Sequence, residues 1–180
     1  MIISETKIKG AYLIEPELLV DARGSFAHLW TQRELEAHGL EGRFVECNAS
    51  FNHRRGTLRG LHYQAAPHGQ AKLVRCTRGS MYDVGVDLRP DSPTFRQWVG
   101  VELSERNNLM LYLPGDFAHG YQTLEDETEI VYMVTSPYAP ASGRGVRWDD
   151  PAFGIDWPDV GERIINARDS DYPDFGEGSE

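Results

Sequence analysis

One stretch of six residues, Arg59-Gly60-Leu61-His62-Tyr63-Gln64, combines a fixed cation, a titratable imidazole, a phenol and an amide. β-forming residues dominate it and turn residues bracket it, which predicts a strand. Side chains two apart on a strand share a face, so His62 is expected to face the same way as Gly60 and Gln64, and away from Arg59. An imidazole beside a glycine leaves room for a ligand and could act as a general base. A hydrogen-bonded core histidine fits the same pattern.

Other polar side chains fall inside segments that otherwise have the composition of strands. Apolar residues are expected at such positions, so each polar one is a candidate for chemistry. Lys72 directly precedes Leu73-Val74 in a predicted strand. A position on an edge strand, or a head group that reaches solvent, would explain a lysine there as well as a functional role does. Besides His62, the set comprises Gln64, Lys72, Asp83, His119 and Tyr132.

Short apolar segments separated by turn residues must position these groups. Such segments at roughly 8–12-residue spacing are typical of an antiparallel sandwich or barrel, and no alternation of strands with helices suggests a parallel sheet. Short strands are predicted within residues 2–20 and at Phe26–Trp30. The later predicted strands are Phe44–Phe51, Leu58–Tyr63, Ala71–Cys76, Gly79–Leu88, Trp98–Leu103, Leu109–Leu113, Phe117–Leu124 and Thr128–Thr135.

One short helix is predicted in the first half of the chain. Thr31 and Glu34 have the spacing of a capping box, Leu35 follows, and Gly39 lies where a helix often ends. Beyond Pro137 the strand pattern stops, residues 142–145 are predicted to form a loop, and the segment is expected to wrap the barrel.

Bulk composition limits the classes of function. The chain has 180 residues and 40% hydrophobic content, which suits one domain. It contains no apolar run long enough to span a membrane. Its net charge of −10 argues against a nucleic-acid surface. Cys47 and Cys76 have neither zinc-site nor CxxC spacing, so both are expected to be small buried residues rather than a disulfide. The start of the chain lacks an apolar signal segment, and a cytoplasmic protein is expected.

The turn Pro114-Gly115, followed by a strand with His119, resembles the second motif of the cupin superfamily. Many cupins bind a metal through this histidine, a His-x-His pair and a glutamate. The first stretch here has His62-Tyr63-Gln64 instead, so the resemblance implies a cupin without a metal.

A more specific resemblance runs nearly end to end. The matching segments are Asp21–Phe26, Gly56–Gln64, Lys72–Arg75, Asp83–Arg89, Ser92–Phe95, Trp98–Val101, Phe117–Tyr121, Trp148–Pro151 and Arg168-Asp169. On these segments the chain resembles the dTDP-4-dehydrorhamnose 3,5-epimerase family, the cupin-type sugar-nucleotide epimerases.

The resemblance implies an isomerase that inverts C3, C5 or both in a nucleotide-linked 4-keto-6-deoxyhexose. Such an enzyme removes a proton α to the C4 ketone, stabilises the enolate and returns a proton to the other face. His62 matches the family's base, and Asp169 matches the carboxylate that orients it. Lys72 matches the cation beside the enolate oxygen, and Tyr132 matches the general acid. From the sequence without the family, Asp169 is a tail carboxylate and Tyr132 a core tyrosine.

Substrate contacts are implied in the same way. Arg23, Arg59 and Arg168 match positions that bind the diphosphate, whose oxygens suit a guanidinium fork. Phe26 belongs to the matching N-terminal turn. The other positions expected to contact the substrate are His28, Glu46, Asn48, Gln64, His119 and Tyr138.

Three positions depart from the family pattern. His28 stands where the family has a glutamate that contacts the base, often from the partner subunit, and Glu46 stands where it has glutamine. Met133 follows Tyr132 where a lysine is usual. These departures predict the same chemistry on a different or relaxed nucleotide sugar, with the preferred base left open.

The resemblance implies a mainly β fold, a cupin-type antiparallel β-barrel (jelly roll) with an N-terminal β arm and a few short helices. One domain is expected, with an N-terminal arm and dimerisation strands over about 1–50, a core over about 51–136, a C-terminal wrap over about 137–175 and a flexible tail over about 176–180. It also implies a homodimer through exchanged strands and no cofactor. A ketoisomerase, a metal-dependent cupin and a non-catalytic sugar-nucleotide-binding protein remain alternatives.

Overall fold

β-strands are the main secondary structure of the protein, of which a computed structural model describes residues 1–176. The strands are β1 Ile2–Glu5, β2 Tyr12–Glu15, β3 Leu18–Asp21, β4 Gly24–Ala27, β5 Glu46–Asn52, β6 Leu58–Gln64, β7 Lys72–Arg78, β8 Ser80–Asp87, β9 Trp98–Ser104, β10 Met110–Leu113, β11 Phe117–Thr123, β12 Thr128–Val134 and β13 Gly143–Gly145. The helices are α1 Gln32–Ala37, α2 Ala167–Ser170 and a 3-10 turn at Pro140–Ser142. Most of the predicted tail lies outside the described residues. None of the helices in residues 1–176 is long and apolar enough to cross a membrane.

Two antiparallel sheets pack face to face. One has six strands in the order β1-β2-β10-β7-β12-β5, and the other has five in the order β13-β6-β11-β8-β9. Apolar side chains from both sheets meet between them, among them Val74 of β7 and Phe117 of β11. This arrangement confirms the predicted mainly β jelly roll.

The outer face of each sheet is also covered. Leu35 of α1 packs with Leu73 of β7 on the outside of the six-stranded sheet. Val146 and Phe153, from the segment after β13, pack against Leu61 of β6 on the outside of the five-stranded sheet. Both sheets thus bury apolar side chains on part of their outer faces as well as between them. The edge strand β5 leaves Cys47 exposed, so the expectation that both cysteines are buried is wrong for Cys47 and right for Cys76.

Strands β3 and β4 form a separate two-stranded hairpin. Its apolar side chains are largely exposed, with Leu19 59%, Val20 75% and Phe26 65% accessible. The predicted strand Phe26–Trp30 is wrong, because β4 ends at Ala27. This hairpin is the N-terminal β arm expected from the sequence.

Local signals predicted the helix and missed a strand. Thr31 caps α1 by accepting the Glu34 N–H at 3.2 Å, which is one half of a capping box. The Glu34 carboxylate bonds back to the Thr31 hydroxyl, at 2.7 Å, and not to the Thr31 backbone N–H. The predicted loop at 142–145 is instead largely strand β13, which pairs with β6 at its edge. Glycines flank Arg144 in β13, so the sequence has no β-forming side chain that would indicate a strand.

Candidate active site

Strand β6 has a β-bulge, with one extra residue, where it pairs with β11. His119 lies opposite His62 and Tyr121 lies opposite Arg59, so three steps on β6 match two on β11. This bulge places Arg59 and His62 on the same inner face, and the expectation that they face opposite ways is wrong. Gly60 has a φ of +121°, and a Cβ there would lie 2.5 Å from the Gly120 Cα, so this crossing requires glycine.

A polar pocket of about 390 Å³ occupies the end of the interior beside this bulge. Both sheets, the loop after β12, β13 and α2 contribute to its wall. Of the residues singled out from the sequence, the pocket wall contains Arg59, His62, Gln64, Lys72, His119, Tyr132, Tyr138 and Arg168.

His62 and Asp169 form a hydrogen-bonded pair in this wall. The His62 Nε2 lies 2.8 Å from the Asp169 Oδ1, and the second carboxylate oxygen accepts the Gly60 N–H at 3.0 Å. The bulge therefore supplies an amide that helps to fix Asp169. With the Nε2 proton directed to Asp169, the neutral imidazole presents Nδ1 as its proton acceptor.

Helix α2 delivers Asp169 to this position. The Asn166 side chain caps the helix by accepting the Asp169 N–H at 2.8 Å, and Asp169 is 1% exposed. Burial would raise the pKa of Asp169, but the hydrogen bonds from His62 and the Gly60 amide outweigh it and lower the pKa. Asp169 is thus a buried, ionised partner of His62 and not a solvated tail carboxylate.

Lys72 projects from the first position of β7 into the same pocket and is only 8% exposed. Burial lowers its pKa to about 8, while the nearby Asp83 carboxylate opposes that effect. An edge lysine or one whose head group reaches solvent is therefore wrong for this position. At neutral pH, a lysine of this pKa is still protonated and can stabilise a developing negative charge.

His119 is held by a second carboxylate. Its Nε2 lies 2.7 Å from the Asp83 Oδ1, and Asp83 is fully buried. The other oxygen, Oδ2, has no hydrogen-bond partner among residues 1–176. The pocket thus contains two His–Asp pairs, of which His62 is the more exposed at 42% of its side chain, against 9% for His119.

Tyr132 faces His62 from the other sheet. Tyr132 is on β12 of the six-stranded sheet, whereas His62 is on β6 of the five-stranded sheet, and both line the pocket. Burial raises the pKa of Tyr132, partly offset by the Arg59 charge, so its hydroxyl remains protonated at neutral pH. A group bound between the sheets would meet an imidazole on one side and a phenol on the other.

Three guanidinium groups lie along the pocket. The Arg59 Nε donates to the Asn52 Oδ1 at 2.9 Å, and the Arg168 Nε donates to the Tyr172 hydroxyl at 3.0 Å. Arg144 of β13 also lines the pocket. Sequence reasoning missed Arg144, Asn52 and Tyr172, because none of them lies in a segment with a functional pattern.

The remaining candidates are near the pocket or away from it. Asn48 of β5 pairs in register with Tyr132, and the Glu46 carboxylate accepts the Tyr138 N–H at 3.3 Å. Arg23 is at the turn of the hairpin, where it forms an ion pair with Asp21 at 2.6 Å. Three candidates on the hairpin or directly after it do not line the pocket of their own chain. They are Arg23, Phe26 and His28.

The described residues contain no group of three or more His, Cys, Asp or Glu side chains arranged to hold a metal. Both pocket histidines instead direct Nε2 at a carboxylate. Fold and site together define a cupin-like jelly roll with a His–Asp pair and a tyrosine on facing walls of a cationic pocket.

Comparison with known proteins identifies the family. A family model for dTDP-4-dehydrorhamnose 3,5-epimerase matches residues 5–177. The enzyme of that name from Methanothermobacter thermautotrophicus is 44% identical over 170 residues, covering 93% of this chain and 91% of its own length. The chain belongs to the dTDP-4-dehydrorhamnose 3,5-epimerase family, and is an enzyme of the isomerase class.

Solved structures agree with this assignment. The dTDP-4-dehydrorhamnose 3,5-epimerase from Bacillus anthracis, solved with TDP and PPi bound, has a TM-score of 0.91 and 41% identity, covering 96% of this chain and 98% of that one. A 3′-monoepimerase from Streptomyces bikiniensis, in complex with dTDP-quinovose, has a TM-score of 0.88 and 36% identity, covering 95% and 86%. Similar folds therefore include both double and single epimerases.

Proposed function

We propose that this protein epimerises C3, C5 or both of a nucleotide-linked 4-keto-6-deoxyhexose without a cofactor. The observation that carries the proposal is the His62–Asp169 pair, at 2.8 Å, facing Tyr132 across one pocket. Inversion at carbon needs a base on one face and an acid on the other, and the two sheets supply one each.

His62 starts the reaction as the base. Its Nδ1 takes the proton from the carbon next to the C4 ketone, the C–H bond breaks, and the electron pair moves onto the ketone oxygen to give an enolate. Asp169, whose pKa is lowered by its bonds to His62 and Gly60 despite burial, stabilises the imidazolium that forms.

Lys72 is proposed to stabilise the enolate oxygen, and His119, held by Asp83 through its Nε2, lines the same pocket. A buried donor aimed at developing charge contributes about 2.7–4 kcal/mol in comparable sites. Tyr132 then gives its hydroxyl proton to the opposite face of the carbon. The His62 imidazolium releases its proton to solvent, and the Tyr132 phenolate takes one from solvent, so both groups return to their starting states. Its raised pKa supports the role of proton donor, because the phenol stays protonated until it is needed.

The nucleotide is proposed to lie along the guanidinium groups of the pocket. Arg59 and Arg168, with Arg144, offer planar donors for diphosphate oxygens. A dTDP sugar is favoured, because the B. anthracis structure holds TDP and the S. bikiniensis structure holds dTDP-quinovose. The latter is a 3′-monoepimerase, which favours C3-only inversion as a second candidate activity.

A homodimer is part of the proposal. The hairpin exposes apolar side chains and carries Arg23, Phe26 and His28 outside the pocket of its own chain. We infer that residues of about 1–50 provide the dimerisation strands and that the hairpin completes the pocket of a partner subunit. The other proposed segments are the barrel core, about 51–136, and the C-terminal wrap, about 137–175. The cytoplasmic location stays a prediction from the sequence.

The deciding experiment is an NMR time course in D₂O with dTDP-, CDP- and GDP-linked 4-keto-6-deoxyglucose, each with and without chelator. Deuterium at both C3 and C5 with inversion is the expected result for a double epimerase, and deuterium at C3 alone for a single epimerase. Loss of the reaction with chelator would indicate a metal-dependent cupin. Exchange at neither carbon with any of these substrates would overturn the proposal.

A further inference from the structure

The segment that carries Tyr138 is held by side chains of the barrel rather than by strand pairing. It comprises residues 136–139, between β12 and the 3-10 turn, and the backbone of each of its residues is bonded by a side chain from elsewhere. We refer to these four residues as the Tyr138 loop. Tyr138 is 60% exposed and lines the pocket, so packing alone does not fix it.

Gln64 makes two of these contacts and is 4% exposed. Its Oε1 accepts the Ala139 N–H at 2.6 Å, and its Nε2 donates to the Pro137 carbonyl at 3.2 Å. The same Nε2 also donates to the His68 carbonyl at 2.7 Å. Both N–H groups of the amide and its oxygen are therefore engaged by backbone.

Gln70 and Glu46 complete the set. The Gln70 Nε2 donates to the Ser136 carbonyl at 2.6 Å, and Gln70 is 8% exposed. Glu46 accepts the Tyr138 N–H at 3.3 Å from the edge strand β5. Gln64 and Glu46 thus bond to the loop from different sheets, and the loop spans the two sheets at the mouth of the pocket.

We propose that Gln64, together with Gln70, is a positioning residue that holds the Tyr138 loop over the pocket, and does not itself contact the substrate. Buried hydrogen bonds of this kind are strong, and removing one partner leaves the backbone groups of the loop unsatisfied. An aromatic side chain that positions the substrate leaves its productive position more often on a loosened loop, which lowers the rate of chemistry more than it weakens binding. The inference deepens the proposed function and rests on it for its kinetic part.

The first test measures the loop directly by amide hydrogen exchange. Gln64→Met removes the amide at nearly constant length and is expected to speed exchange of the Ala139 amide at least tenfold. Gln122→Met is the matched control, since Gln122 is a fully buried glutamine of β11 whose amide holds the Pro158 carbonyl at 2.8 Å, away from the loop. It should leave exchange of the Tyr138 and Ala139 amides within twofold of the parent protein.

The second test is kinetic. Gln64→Met is expected to lower kcat about tenfold with KM changed less than twofold, and the double variant Gln64→Met/Tyr138→Ala should be no slower than Tyr138→Ala alone, because Gln64 acts through Tyr138. Gln70→Ala removes the hydrogen bond to the Ser136 carbonyl and leaves Gln64 in place, and should show the same kcat effect, more weakly, even if Gln64→Met folds poorly.

The outcomes separate this inference from the proposed function. Unchanged exchange at Ala139 would overturn the positioning role. So would a double variant whose kcat is lower than that of Tyr138→Ala by the same factor by which Gln64→Met lowers the kcat of the parent protein. A rise in KM with kcat retained would make Gln64 a direct substrate ligand. Absence of epimerase activity in the parent protein would overturn the proposed function, while the exchange measurement would still decide whether Gln64 holds the loop.

Discussion

His62 is the residue whose loss should separate binding from chemistry. We predict that His62→Ala abolishes turnover, a loss of about 10²–10⁴-fold or more, because it removes the proposed base. Affinity for the nucleotide, measured by calorimetry with dTDP, should change little, since the guanidinium groups lie elsewhere along the pocket. Turnover at the parent rate would remove His62 from the role of base.

Tyr132 is predicted to act after His62. Tyr132→Phe keeps the ring and removes the proton, so reprotonation should slow more than proton abstraction. The measurement compares deuterium wash-in from solvent with formation of inverted product in one NMR time course. Equal losses in both would count against Tyr132 as the acid.

Lys72 should impose an upper pH limit on the reaction. Burial lowers its pKa to about 8, so the ammonium group is protonated below that pH and is lost as the pH rises through it. We predict that kcat/KM falls above pH 8. The pKa of Tyr132 is raised above its usual value of 10.0, so the tyrosine does not titrate there.

Lys72→Arg is the discriminating variant for this limit. A guanidinium remains protonated throughout the range, so its slower reaction should show no fall near pH 8. An unchanged fall in Lys72→Arg would assign the limit to another group.

Among the elements, the bulged pairing of β6 with β11 determines the geometry of the site. The bulge brings Arg59 and His62 to one face and frees the Gly60 amide for Asp169, so the recognition and base groups both depend on it. Alternation of side chains predicted the facing of His62 with Gln64 correctly, but a bulge cannot be read from alternation. The sequence contained only its prerequisites, Gly60 and Gly120, without indicating that they meet.

Gly60→Ala tests this crossing. The new Cβ would lie 2.5 Å from the Gly120 Cα and 2.8 Å from the His119 oxygen, at a φ of +121°. Strain and overpacking together should cost about 3 kcal/mol in the free energy of unfolding, measured by urea denaturation. Gly154→Ala is the control, since Gly154 also has a positive φ, +55°, but open space around it, and should cost about 1–2 kcal/mol. Equal costs would show that the close approach at Gly60 is not limiting.

Most strands could be predicted because their inner and outer faces are both covered, which forces strongly apolar segments between turns. The helix α1 was predictable from its cap. Strand β13 was not, since Gly143-Arg144-Gly145 pairs only through its backbone at a sheet edge. The same limit applies to the pocket, because Arg144 and Tyr172 enter it through tertiary contacts, and the pairing of His62 with Asp169 joins residues 107 positions apart.

At the scale of the whole molecule, the exposed hairpin is the feature that one chain does not explain. Val20 and Phe26 are 75% and 65% exposed, in a protein of net charge −10. Arg23, at its turn, forms an ion pair with Asp21 of the same hairpin and with no other of residues 1–176. A second copy that receives the hairpin would bury these side chains and bring Arg23 to a diphosphate site.

A mixing experiment tests whether Arg23 acts on the partner's pocket. Arg23→Ala and His62→Ala subunits, each inactive or nearly so alone, are co-expressed with different tags. Half of the dimers then carry one of each chain, and if the hairpin is exchanged, one pocket in each such dimer has both Arg23 and His62 intact, so activity should return to about a quarter of the parent value. If Arg23 served its own chain, every pocket would lack one of the two residues and no activity would return. Sedimentation of each variant as a dimer on its own is the control, because a monomeric variant could not complement.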